Sequence, residues 1–176
     1  MNNPYAKSAT NILSLVGQAT MNWNEIDQIW YLIFTCLMHE TPRDKTDAIF
    51  SQFLTAKAQR ELILTVAEHA LKKHPRYKTR IGQLAAKTND LSGIRNAIVH
   101  GAYRFDPLNG PPYVRISPKT VASKKANRLA GKDLEREITA HIVDVQSFIA
   151  DLDEFRMELI EKYIPKSKPD NCQPKA

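Results

Sequence analysis

Residues 134–165 read LEREITAHIVDVQSFIADLDEFRMELIEKYIP. Leu134, Ile138, His141, Val145, Phe148, Leu152, Phe155 and Leu159 follow one another by alternating steps of four and three. Such steps keep side chains on one helix face, because successive residues turn by about 100°. Sustained for more than three heptads, they describe a helix packed lengthwise in a bundle or a helical dimer. Pro165 stops it.

The same period appears upstream. Trp23, Ile26, Trp30, Ile33 and Leu37 share one face, widened by Ile29, Phe34 and Met38, and Thr41-Pro42 ends the run. A second helical stretch carries Ile49, Phe50, Phe53 and Leu54. A third, near 56–73, carries Leu62, Ile63, Val66, Ala67, Ala70 and Leu71, and His74-Pro75 breaks it. A fourth runs from about 77 to 100, with Leu84, Leu91, Ile94 and Ile98 on one side. Gly101 follows as the expected left-handed residue past its end. AYRFD and PYVRI then alternate around PLNGP, the pattern of a short hairpin or an irregular loop near 102–116. The expected fold is all-α: an antiparallel bundle of four to five helices with that small insertion. Residues 1–164 form one domain in this reading, and 165–176, PKSKPDNCQPKA, form a disordered polar tail.

Composition sets the outer limits. A chain of 176 residues can bury a real core. It is 43% hydrophobic and 25% charged, ordinary globular usage. Its net charge of +6 favours a polyanionic partner without specifying one. Cys36 sits in the apolar stretch IWYLIFTCLM and reads as a small core residue, while Cys172 lies in the tail. That usage does not make a disulfide framework or a zinc site. The first residues lack a basic region followed by a long apolar run, and the longest apolar run is about half the ~20 residues that span a bilayer. A cytoplasmic protein with no membrane contact, no cofactor and no metal is expected. No phosphate-binding glycine loop is present, which argues against a P-loop nucleotide hydrolase.

The chemistry-bearing stretch is GIRNAIVHG, residues 93–101. Asn96 and His100 are four apart and stack on one helix face, with Arg95 one step round. This places a titratable imidazole, an amide and a fixed cation at the last turn of one helix. Such a set suits phosphoryl chemistry on RNA. His can take a proton from a ribose 2′-hydroxyl or give one to a leaving oxygen. Arg can hold a phosphate through two parallel hydrogen bonds. Asn can orient either partner. The same residues also make a sound helix end, since His near a C-terminus complements the dipole.

IRNAIVHG resembles the signature of the HEPN domain superfamily: Arg, then a polar residue, then His after four to six intervening residues. Here Asn96, Ala97, Ile98 and Val99 are the four. The helical organisation, with the motif late in a central helix and a long final helix after a loop, is similar as well. The resemblance implies a metal-independent endoribonuclease that leaves a 2′,3′-cyclic phosphate. It implies Arg95 and His100 as catalytic residues and Asn96 as their supporting polar group. It also implies a homodimer whose two motifs line one cleft, and membership of a toxin–antitoxin or phage-defence system with an antitoxin or other protein partner. Some members of that superfamily have lost catalysis and act as modules that bind RNA, a nucleotide or a protein. Some toxin members carry a Tyr two residues after the His, where this chain has Ala102 and places Tyr103 next.

Basic residues cluster on both sides of the motif. Leu71 to Lys87 contains Lys72, Lys73, Arg76, Lys78, Arg80 and Lys87 with no acid. Residues 117–132 contain five Lys or Arg, among them Lys124 and Lys125, and read as a mobile basic loop. With Arg104 these form a candidate track for an RNA backbone, where phosphate contacts give sequence-independent affinity. Tyr77, Tyr103 and Tyr113 are either stacking platforms for bases or ordinary surface and core residues. His141, on the apolar seam, is expected to be buried with its hydrogen bonds satisfied. His39 reads as a helix-end residue, and His69 and His74 have no metal-ligand partner at useful spacing.

Overall fold

The computed structural model describes residues 4–104, 113–115, 129 and 131–163. The expected tail and most of the 117–132 loop, with Lys124 and Lys125, lie outside them. Among the described residues there are five helices and one small ribbon. They are α1 (Pro4–Leu37), α2 (Arg43–Ser51), α3 (Ala56–Ala70), α4 (Pro75–Val99), β1 (Ala102–Arg104), β2 (Tyr113–Arg115) and α5 (Leu134–Lys162). The strands pair antiparallel, with Tyr103 opposite Val114. The all-α bundle with a hairpin insertion is the observed architecture.

Helix boundaries follow local chemistry. Thr55 caps α3, its side chain accepting from the Ala58 amide at 3.2 Å. Pro75 does more than break α3: it occupies the first turn of α4, where its missing N–H costs nothing. Asp133 caps α5 by accepting from the Arg136 amide at 3.2 Å, and Glu135 and Glu137 complement the helix dipole in that first turn. Gly131, at φ 71°, supplies the left-handed residue just before the cap.

α1 is longer than its apolar period announces. It begins at Pro4, well ahead of Trp23. Its first half carries only a thin stripe, Ile12, Leu15, Val16 and Ala19, diluted by Asn, Ser, Thr and Gly17, which are weak helix formers. Packing compensates: Ile12 and Ala19 are buried against Ile138 and Ile142 of α5 and Ile98 of α4.

α1 and α5 form the most extensive helix pairing, and they run in the same direction. Ile12 lies with Ile138 at one end, and His39, just past α1, meets Tyr163, just past α5, at the other. α3 shares that direction, since Arg60 faces Asp27 and Ala70 reaches Tyr163. α4 runs against all three: Trp30 pairs with Thr88, Arg80 with Glu154 and Glu158, and Ile98 with the start of α5. The antiparallel relation therefore belongs to α4. The short α3–α4 turn enforces it on one side and the long α4–α5 connection permits it on the other.

The core divides in two along α4. The larger cluster joins Trp30, Ile33 and Phe34 of α1 to Ile63 of α3, Ile81 and Leu84 of α4, and Phe148, Leu152 and Phe155 of α5. The buried Thr88 hydroxyl is fully used: it accepts from the Trp30 indole at 3.1 Å and donates to the Leu84 carbonyl at 2.9 Å. The smaller cluster packs Ile98 with Leu129, Leu134, Ile138 and Ile142, and Tyr103 leans on it.

His141 sits on the α5 seam as expected, 2% exposed, but its hydrogen bonds are not satisfied. Neither ring nitrogen has a hydrogen-bond partner among the described residues. Burial pushes its pKa down, and nearby Asp144 pulls the other way by less. The apolar step pattern that predicts burial carries no information about a polar partner. Among the described residues no helix is long and apolar enough to cross a membrane.

Candidate functional site

The last turn of α4 brings Arg95, Asn96 and His100 to one end of the bundle. Ile98, between them, is fully buried in the smaller core cluster and anchors the turn. Tyr103 anchors it a second time. Its hydroxyl donates to the Ile98 carbonyl at 2.6 Å, taking up one of the carbonyls that a helix end leaves unpaired. Burial raises the Tyr103 pKa to about 12, so the phenol keeps the proton that this bond needs. Tyr103 is thus engaged with the backbone through its hydroxyl, and Tyr77 is buried in the larger core.

Gly101 does not adopt the expected left-handed conformation, since Gly131 is the positive-φ glycine among the described residues. The reason for glycine here is space. A Cβ at Gly101 would lie 2.7 Å from the Ala97 carbonyl oxygen and 3.2 Å from the Tyr103 ring. The strand thus leaves the helix so closely that a methyl group has no room.

Within the motif, the Arg95 Nη1 donates to the Asn96 Oδ1 at 3.1 Å. Asn96 and His100 are exposed. His100 closes the helix, its backbone N–H donating to the Asn96 carbonyl at 3.0 Å. Asn96 and His100 thus stand one turn apart, with the Arg95 guanidinium joined to Asn96.

Arg95 itself is half-buried. Its guanidinium lies 5.6 Å from the centre of the Trp23 ring of α1, a cation–π contact. Its Nε is buried with no hydrogen-bond partner among the described residues. One turn further along α1 comes Asp27. Burial raises the Asp27 pKa, and the charges of Arg60 and Arg95 oppose that rise. Arg60, from α3, is 7% exposed; its Nη1 stands 4.0 Å from the Asp27 carboxylate, and its Nη2 donates to the Asn89 Oδ1 of α4 at 3.2 Å. The Arg60 pKa is lowered by burial and held up by Asp27.

The motif helix therefore rests on a polar crossing of three helices, built from Trp23, Asp27, Arg60 and Asn89. Sequence reading misses this crossing. Its one advance signal is a charged residue, Asp27, between Ile26 and Ile29 on the apolar run of α1. Among the described residues no group of three or more His, Cys, Asp or Glu is arranged to hold a metal ion.

The basic track looks different in three dimensions. Lys72, Lys73 and Arg76 are exposed around the α3–α4 turn. Lys78 is paired with Glu68 of α3. Arg80 is shared by Glu154 and Glu158 of α5, at 2.8 and 3.1 Å. Lys87 reaches Asp151 at 3.1 Å and lies over the Phe148 ring. These cations knit α4 to its neighbours. Arg76 and His100 stand at opposite ends of α4, about 36 Å apart at ~1.5 Å per residue. Arg104, exposed on β1, is the expected RNA contact near the motif. Scanned against protein-family models, curated proteins and solved structures, the chain gives no significant match.

Proposed function

We propose that the chain is a HEPN-like, metal-independent endoribonuclease whose reaction centre is the C-terminal turn of α4. The observation that carries this reading is the exposed Asn96–His100 pair with a guanidinium bonded to its amide. In the proposed step the His100 imidazole takes the proton of a ribose 2′-hydroxyl. The 2′-oxygen forms a bond to phosphorus as the bond to the 5′-oxygen breaks, leaving a 2′,3′-cyclic phosphate and a 5′-hydroxyl. Arg95 balances charge on the phosphate oxygens, and Asn96 orients it. The leaving oxygen needs a proton. A homodimer that faces two motifs across one cleft supplies it from a second His100. Arg104 is the cation best placed to guide the RNA backbone to this end. A toxin or phage-defence role, with an antitoxin as partner, is the biological setting this activity suits.

One observation favours a second reading, a non-catalytic HEPN-like module that binds RNA, a nucleotide or a protein. Arg95 is already engaged by Trp23 and Asn96, so a phosphate must compete for it. The two readings separate in one experiment. Mixed-sequence labelled RNA is incubated in EDTA with the protein, His100→Ala and Arg95→Ala, all matched for melting temperature. The enzyme reading expects cyclic-phosphate ends from the unaltered chain alone. Binding without cleavage across a broad RNA panel favours the module, and equal cleavage by all three removes the motif from the chemistry.

A further inference from the structure

Arg95 is a half-buried cation that forms no salt bridge among the described residues. Its Nη1 is bonded to a neutral amide, its Nε is buried without a hydrogen-bond partner among them, and its face lies on Trp23. A guanidinium so placed needs a counter-charge to stay put, since burying an unpaired charge is costly. Asp27 is a described carboxylate that feels the Arg95 charge, though less than it feels Arg60. Trp23 and Asp27 are one turn apart on α1 and so share a face. Asp27 in turn faces the deeply buried Arg60 of α3, at 4.0 Å and without a hydrogen bond. Arg60 is itself tied back to α4 through Asn89. One carboxylate thus interacts by charge with two guanidiniums, one from α3 and one from α4.

We infer that Asp27 is a positioning residue for Arg95: its carboxylate, ion-paired with Arg60, holds the Arg95 guanidinium on the Trp23 face at the end of α4. Without that charge the two guanidiniums repel each other, and Arg95, the more exposed of the two, swings into solvent. The catalytic consequence rests on the ribonuclease reading; the placement of Arg95 does not. A misplaced Arg95 lowers kcat with little change in KM, because the guanidinium is used as charge develops on the phosphate.

The test reads Arg95 directly. Phenylglyoxal modification is followed residue by residue by mass spectrometry, with exposed Arg76 as the internal reference. In the unaltered protein Arg95 reacts slowly. In Asp27→Asn its rate relative to Arg76 rises several-fold. Asp27→Asn also strands the buried Arg60 charge, so the double variant Asp27→Asn/Arg60→Gln is measured beside it. Asp27→Glu keeps the charge that Arg60 needs and tests rescue: Arg95 returns towards slow reaction and kcat recovers in part. An Arg95 rate unchanged in any Asp27→Asn protein that melts like the unaltered chain overturns the inference. So does an Arg95 that already reacts as fast as Arg76 in the unaltered chain. Release of Arg95 in a protein that cleaves no RNA upholds the positioning role and counts against the ribonuclease reading alone.

Discussion

The two ends of α4 carry the same kinds of residue and use them differently. In its first half Lys78, Arg80 and Lys87 each meet an acid from another helix. In its last turn Arg95 bonds a neutral amide, and His100 is exposed and in no ion pair among the described residues. The first half is cross-braced; the last turn keeps Asn96 and His100 facing outwards. A run of cations in sequence therefore says little about a binding surface until the acids that reach it from elsewhere are known. Here those acids come from α3 and α5, and they leave Lys72, Lys73 and Arg76 as exposed cations at the far end.

The contrast can be broken at its strongest point by His100→Ala. Loss of a general base slows cleavage by roughly 10²–10⁴-fold, with an unchanged thermal melt because the side chain is exposed; single-turnover kinetics and calorimetry check both. Gly101→Ala comes next. The Cβ would meet a backbone oxygen at 2.7 Å, which cannot move aside cheaply. Overpacking of this kind costs about 1–3 kcal/mol in denaturant unfolding. The variant should also slow cleavage, because the strain falls on the turn that carries His100.

His141 sharpens the comparison through pH. Its folded pKa is lowered by burial, so the unfolded chain takes up the proton first. Above the unfolded value of about 6.5 both states are neutral and the residue adds no pH slope. As pH falls through that value stability drops, by at most about 1.4 kcal/mol per pH unit for one proton. Unfolding curves at several pH values should show that slope in the native chain and lose it in His141→Leu. The smallest effect is expected from Arg80→Gln. Its pairs with Glu154 and Glu158 are partly exposed, so the loss should stay below ~1 kcal/mol in chemical denaturation.

The bundle was largely legible because its signal is periodic. Every residue of the α5 step pattern from Leu134 to Leu159 is buried, and the stripe from Trp23 to Leu37 is likewise in the core. The first half of α1 was not legible, since Ile12 and Ala19 become a face only when α4 and α5 cover them. The motif was legible for a local reason: Arg95, Asn96 and His100 lie within two turns of one helix. Its support was not. Trp23 meets Arg95 from another helix, and Arg60 meets Asp27 from a third; no spacing rule links residues so far apart. Gly101 was read correctly as a helix end but for the wrong cause, close approach rather than a left-handed backbone.

The most direct test of the difference between the two ends removes one guanidinium from each. Arg95→Gln and Arg80→Gln are compared with the unaltered chain in single-turnover cleavage of one RNA, in EDTA and at matched salt. The account predicts a loss of about 10²-fold or more for Arg95→Gln, the scale of a lost charge-stabilising donor, and a rate within a few-fold of the unaltered chain for Arg80→Gln. Equal losses at the two positions, or the larger loss at Arg80, would contradict it.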